Sequence, residues 1–229
     1  MVNKRLTKVA MFIFEFQKKY MKKVIGLVLS IVIVANSLFA QKDITAKKVL
    51  DGVSANIKTF KAITSNITIK SISSKGVNNG SKAGTISYKN KKYLLRQGKT
   101  EVICDGNKVY NFDGNKTITI TGADEAESLL SPQKLFSNFY DKDFTYKLIS
   151  SAGAAYQIEL TPTDPRKNFS KVILYVDKAK NMFTKVKILD KGNNNTEISL
   201  TNLNTNATIK DGIFVFNKAK YPSDVEVLD

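Results

Sequence analysis

The chain has no histidine and no tryptophan, and among its 229 residues only one cysteine, Cys104, and four prolines. Without His, neither a Ser-His-Asp nor a Cys-His catalytic arrangement can form, nor a His-ligated metal site. One Cys excludes an internal disulfide and a thiolate zinc centre within one chain. Cys104 itself reads as a small buried hydrophobe on a strand. No Gly-rich loop opens a helix to cradle phosphate. The carboxylates at Asp124/Glu125 and Glu125/Glu127 could in principle do acid–base work. They stand before an apolar helical stretch, however, where acids favour the helix dipole. Ser/Lys chemistry is the one serine mechanism left open, and no distinctive Ser/Lys pairing is present. The expectation is a protein that is not an enzyme and that uses no cofactor and no metal.

Acidic residues are also scarce, 20 against 36 Lys plus Arg. Residues 1–40 hold seven of the positive charges and one negative, which leaves 29 and 19, a net of about +10, over the remaining 189 residues. That remainder is the size of a single domain. Its lysines are dispersed and accompany no nucleic-acid-binding motif, so nucleic acid is not an expected partner. A basic surface suits anionic membrane faces or an acidic protein. It equally serves to solvate β-strands and discourage edge aggregation.

What the sequence does contain begins with an export signal. Lys22 and Lys23 follow Met21, Val24 to Val34 is almost wholly apolar, and Ala40 offers a small residue before Gln41. This is the three-part pattern of a cleaved secretory peptide spanning 21–40, with the cut near Ala40. The uncharged run Val24–Ala40 also reaches the short limit of a membrane span, so a retained anchor is the alternative. Residues 1–20 read as a disordered extension ahead of the true initiator, Met21. Gln41 rather than Cys follows the cut, so the mature protein is not itself expected to be lipidated there. The domain expected to follow is 41–229.

Within it, Asp43 can cap a helix, and Ala46, Val49, Leu50, Val53, Ile57 and Phe60 recur at three and four residues, an apolar stripe over 44–60. From residue 62 the apolar period becomes two. Turn residues at Asp105-Gly106-Asn107, Asp113-Gly114-Asn115, Thr161-Pro162, Asp190–Asn193 and Lys210–Gly212 punctuate ten or eleven strands, Phe214 and Phe216 among them. Lys75–Lys82 reads as a longer loop. Residues 123–139 interrupt the pattern with Ala126, Leu129 and Leu130, then Ser131-Pro132 and a short helix bearing Leu135, Phe136 and Phe139. No parallel crossover is signalled. The fold class is mainly β: a curved antiparallel sheet forming an incomplete barrel, its concave face covered by helices 44–60 and 123–139.

In this order the elements resemble the LolA-type periplasmic carriers of outer-membrane lipoproteins. Gly84-Thr85-Ile86, Val102-Ile103-Cys104-Asp105-Gly106 and Val109-Tyr110-Asn111-Phe112-Asp113 carry the resemblance in the middle of the chain. Leu130–Phe136 and Tyr156–Pro162 continue it. Ile188–Asn193, Thr196-Glu197-Ile198, Phe214-Val215-Phe216, Tyr221-Pro222 and Val225-Glu226-Val227 are its most specific part.

The resemblance implies a half-open β-barrel with a helical lid over an apolar cavity. It also implies a periplasmic monomer that receives the acyl chains of lipoproteins from an inner-membrane ABC-type complex and delivers them to an outer-membrane receptor. A sensor of lipid or lipoprotein built on the same fold is the alternative. The best-known members carry an Arg-Pro pair that falls here on Asn90-Lys91, with Lys89, Lys91, Lys92 and Arg96 as candidate substitutes for its lid-latching Arg, although Lys and Arg are not interchangeable. Apolar candidates for cavity and lid are Ile67, Ile69, Ile86, Tyr88, Leu94, Val109, Ile118 and Ile120 on strands, and Val53, Ile57, Leu129, Leu130, Leu135 and Phe136 on helices. Strand parity groups such residues by face and leaves open which face meets lipid.

Overall fold

Asp43 starts the first helix as its position suggests. Its carboxylate accepts the backbone N–H groups of Thr45 and Ala46 at 2.8 and 3.1 Å, satisfying two of the donors a helix start leaves free. Helix α1 (Ile44–Thr59) then buries Ala46, Leu50, Val53 and Ile57 along one stripe, the face that the three-and-four spacing demands. The computed structural model describes residues 43–123 and 140–229. The expected signal and its extension, and the insertion bearing Leu129, Leu130, Leu135 and Phe136, lie outside the described residues.

The strands are β1 (Ile63–Ile72), β2 (Asn78–Lys89), β3 (Lys92–Gln97), β4 (Thr100–Cys104), β5 (Lys108–Phe112), β6 (Thr117–Gly122), β7 (Phe144–Ser150), β8 (Ala155–Pro162), β9 (Phe169–Asp177), β10 (Met182–Asp190), β11 (Asn195–Asn204) and β12 (Glu226–Leu228). A single-turn helix, α2 (Tyr140–Asp143), precedes β7. All twelve strands form one sheet in the order β12-β6-β5-β4-β3-β2-β1-β11-β10-β9-β8-β7. Two meanders run outward in opposite directions from the β1–β11 pair at the centre. The sheet is curved and open, with β12 and β7 at its two edges.

Three details differ from the sequence reading. The stretch Lys75–Lys82 is mostly strand, because β1 and β2 pair as one long hairpin out to Ile72 opposite Asn78 and leave only 73–77 as the turn. Phe214 and Phe216 are not on a strand: Asp211–Phe214 is a 3-10 turn and the chain crosses the sheet face rather than pairing at an edge. Finally, β12 pairs with β6 in parallel, after the C-terminal segment has crossed the sheet and turned back.

Gly84 has a packing role in this sheet. A Cβ on it would lie 1.9 Å from the backbone O of Arg96 on the adjacent β3, so only glycine allows so close an approach of the two strands.

Candidate functional site

Directly opposed residues of antiparallel neighbours share a sheet face. The register therefore divides the expected cavity residues into two sets. On the face that α1 covers, here the inner face, Ile67 and Ile69 of β1 stand beside Leu200 and Ile198 of β11. Ile63 stands opposite Tyr88, which is opposite Tyr93, and Ile86 is opposite Leu95. The inner face continues outward through Leu95 and Val102, and through Cys104 and Val109. Val53 and Ile57 of α1 pack into the same cluster as Ile67, Ile86, Leu174, Val186 and Ile198, with Ile69 and Tyr88 against it. Val109 belongs to a smaller inner cluster with Tyr93 and Cys104. The structure thus brings Val53, Ile57, Ile67, Ile69, Ile86, Tyr88 and Val109 to one face.

Leu94, Ile118 and Ile120 point the other way. Leu94 packs with Ile103 and Phe214. Ile118 is fully buried with Phe112 and Val225, and Ile120 packs against them. The cover on this outer face is the C-terminal strap, residues 209–225, which leads into β12. Phe216 stacks on Tyr110 with centroids 4.5 Å apart. The Tyr221 hydroxyl donates to Glu101 at 2.6 Å, and burial, then this carboxylate, pushes its pKa upward. Lys116 and Asp224 pair at 2.8 Å.

Two of the candidate latch residues also serve this outer side. Lys89 pairs with Asp211 at 2.9 Å and donates to the Ile209 carbonyl at 3.1 Å, and Arg96 pairs with Glu101. Lys92 stands opposite Lys89 and so on the outer face too. Asn90 and Lys91 form a two-residue turn with φ of 49° and 69°, the mirror-image hairpin turn that matches strand twist. Proline, fixed near −65°, cannot occupy position 91 in this turn, which gives the departure from the Arg-Pro pair a physical cause.

The inner face is almost free of charge. In the interiors of β1–β11 the register puts one charged side chain there, Lys82 opposite Ile69. Helix α1 is fixed over only part of this face, the β7–β10 side. The second carboxylate oxygen of Asp43 accepts the Leu148 N–H of β7 at 3.0 Å, the main reason its pKa is lowered. Mid-helix, the Tyr140 hydroxyl donates to Asp51 at 2.9 Å, and burial raises that phenol to about 12. Near the helix end, the Asn56 amide donates to the carbonyls of Lys180 and Asn181 at 3.0 and 3.1 Å.

Beyond the helix, Ile69, Tyr88, Leu95 and Val102 remain half-buried. Sequence reasoning missed Leu95 and Val102. The signal was present in the turn at Asn90-Lys91, which sets Tyr88 against Tyr93 and Ile86 against Leu95. What such a surface can do is hold flexible apolar chains by area rather than by directed bonds.

No curated protein matches the chain. Among solved structures it is similar to an uncharacterized conserved protein from Thermus thermophilus, at 13% identity and a TM-score of 0.50, covering 80% of this chain and 98% of that one. It is also similar to a LolA superfamily protein from Nitrosomonas europaea, at 11% identity and 0.43, covering 77% and 99%, and to LprF from Mycobacterium bovis, at 12% and 0.39, covering 75% and 98%. The first of these shows a shared fold. The family model described as outer membrane lipoprotein carrier protein LolA matches residues 96–217, more than half of the chain. The chain belongs to the LolA family.

Proposed function

We propose that this protein is a periplasmic carrier, not an enzyme, that binds lipoprotein acyl chains on the inner face of its sheet and takes them from the inner membrane towards the outer membrane. The observation that supports this most is the inner face itself: apolar from β1 to β5, nearly uncharged, and capped by α1 only on the β7–β10 side. Exposing an acyl chain to water costs about 0.8 kcal/mol per CH₂, so a carrier needs broad apolar area and few directional contacts. The family match and the expected export signal agree with this reading, in which an ABC-type releasing complex is the donor and an outer-membrane receptor the acceptor.

The test is to incubate the purified protein with spheroplasts of the source cell and look for lipoproteins in the soluble fraction in stoichiometric complex with it. Release that is reduced by Leu95→Asn or Val102→Asn, and unaffected by Ile173→Asn on the outer face, supports the carrier reading. Absence of release from folded protein, with the releasing machinery intact, overturns it in favour of a lipid-sensing role.

A further inference from the structure

The strands end on two rims, and their charges are unlike. One rim carries the β2–β3, β4–β5 and β9–β10 turns and the junction of α1 with β1. Its lysines Lys61, Lys91, Lys108, Lys180 and Lys210 are exposed, and among the described residues none of them has an ion-pair partner. Lys210 belongs to this rim because the adjacent Ile209 carbonyl and Asp211 carboxylate both bind Lys89, at the end of β2.

Three of the rim's described acids are occupied, while Asp229, just past β12, stands exposed near Tyr110. Asp105 accepts the N–H groups of Asn107 and Lys108, each at 2.8 Å. Asp177 accepts those of Ala179 and Lys180 at 2.9 and 2.8 Å, and Asp211 is paired with Lys89. The opposite rim is balanced: Lys116 pairs with Asp224 and Arg166 with Asp164, and the exposed Asp143 and Glu226 offset other lysines there.

We infer that the lysine rim is a docking surface for an anionic membrane. From β10 to β5 it crosses six strand spacings, about 30 Å, with its charges spread along that line. Such a sparse, fully hydrated row is complementary to a continuous anionic headgroup layer. A protein partner would instead need desolvated aromatic or Arg anchors at its centre, and among the described residues the rim's free cations are all lysine. The rim also lies beside Tyr88, Tyr93 and Val109, where the inner apolar face reaches its end. Docked this way, the protein faces the bilayer with the edge nearest the part of its inner apolar face that α1 does not cover. The inference holds whether or not the cargo is a lipoprotein.

The test uses empty protein and cargo-free vesicles, so its failure would leave the carrier reading untouched. Cosedimentation is measured with phosphatidylcholine vesicles, with and without phosphatidylglycerol, at low and high salt. Binding is expected only with phosphatidylglycerol and is expected to weaken with salt. Each lysine near the surface contributes about fivefold. Lys91→Glu, Lys108→Glu and Lys210→Glu together remove three such contributions and add three repulsive charges, and should therefore weaken binding by at least about a hundredfold. Lys75→Glu, Lys99→Glu and Lys191→Glu on the opposite rim change net charge equally and should leave most of it. All six sites are exposed, and an unchanged circular dichroism spectrum verifies folding. Equal loss in both triple variants would overturn the proposal, because net charge alone would then explain binding. So would absence of binding to phosphatidylglycerol vesicles, or capture by an acidic protein without vesicle binding.

Discussion

Leu94 and Leu95 are adjacent in sequence and opposite in role, and truncating each separates the sheet's two faces. Leu94 is 4% exposed and sits between Ile103 and Phe214 under the C-terminal strap. Leu94→Ala leaves a void that the strap cannot fill without losing its own anchors, and a buried Leu→Ala change costs about 2–5 kcal/mol. Leu95 is half-buried on the inner face. At about 0.8 kcal/mol per fully buried CH₂, half burial of the three carbons removed gives roughly 1 kcal/mol for Leu95→Ala. With a urea m-value of about 2–3 kcal/mol/M for a domain of this size, the unfolding midpoint should fall by about 1–2 M for the first variant and by less than about 0.5 M for the second. Limited proteolysis should cut the strap of Leu94→Ala first. Lipoprotein capture should respond in the reverse order: intact in Leu94→Ala below its unfolding transition, reduced in Leu95→Asn. Equal midpoint shifts, or capture lost in the Leu94 variant alone while it is folded, would refute the division into a structural and a binding face.

Asp43→Ala removes both the α1 cap and the acceptor of the Leu148 N–H, and should cost about 2 kcal/mol by equilibrium unfolding. Because the carboxyl is held below its ordinary 3.8 in the folded protein, its stabilisation is complete above pH 3.8 and disappears as pH falls through the lowered value. Asp43→Asn should flatten that part of the stability–pH curve, measured by thermal melting between acid and neutral pH. Gly84→Ala places a methyl 1.9 Å from the Arg96 oxygen and should break the β2–β3 pairing there. Amide exchange would show faster exchange in β3, and unchanged protection would refute the packing argument. Lys91→Pro forces φ from 69° to near −65° and should destabilise the hairpin more than Lys91→Gly, which fits the turn, when the two are compared by chemical denaturation.

Much of this fold was legible because single residues commit the backbone locally. Asp43, the stripe from Ala46 to Ile57 and the Asp-Gly turns each act within a few residues of themselves, so the helix and most strands follow from sequence. The division of Leu94, Ile118 and Ile120 from Ile86 and Val109 was less accessible. Strands β3 to β5 are apolar on both faces, since the strap covers the outer one, and a run such as Tyr93-Leu94-Leu95 shows no alternation to read. The strap itself misled: Phe214-Val215-Phe216 alternates like a strand, yet it buries Phe214 and stacks Phe216 by lying across the sheet. Nothing local distinguishes a residue that alternates against a sheet face from one that alternates within a ladder. The parallel return of β12 is likewise a long-range outcome, set by Glu226 N–H reaching the Lys116 carbonyl at 2.8 Å.

The attachments of α1 bear on how bound chains would leave. A cover that opens must give up its contacts together, and those of α1 are spread along its length. They comprise the Asp43 bridge to β7 at its start, Asp51 with Tyr140 in its middle, and Asn56 with the β9–β10 turn near its end. Each is a directed bond, at about 0.5–3 kcal/mol, in addition to the burial of Leu50, Val53 and Ile57. Lifting the helix would expose all of this at once, a cost comparable to that of unfolding a domain of ordinary stability. The helix is therefore a fixed wall of the inner face. In the proposed carrier role, exchange of an apolar ligand would proceed over Ile69, Tyr88, Leu95 and Val102, where the described residues show no such bond between α1 and the sheet. Pinning α1 further with a disulfide between cysteines at positions 52 and 181, where a Cβ on Gly52 would lie against the Asn181 side chain, should consequently leave ligand release unchanged in a transfer assay, and a slowed release would place the moving part in α1 after all.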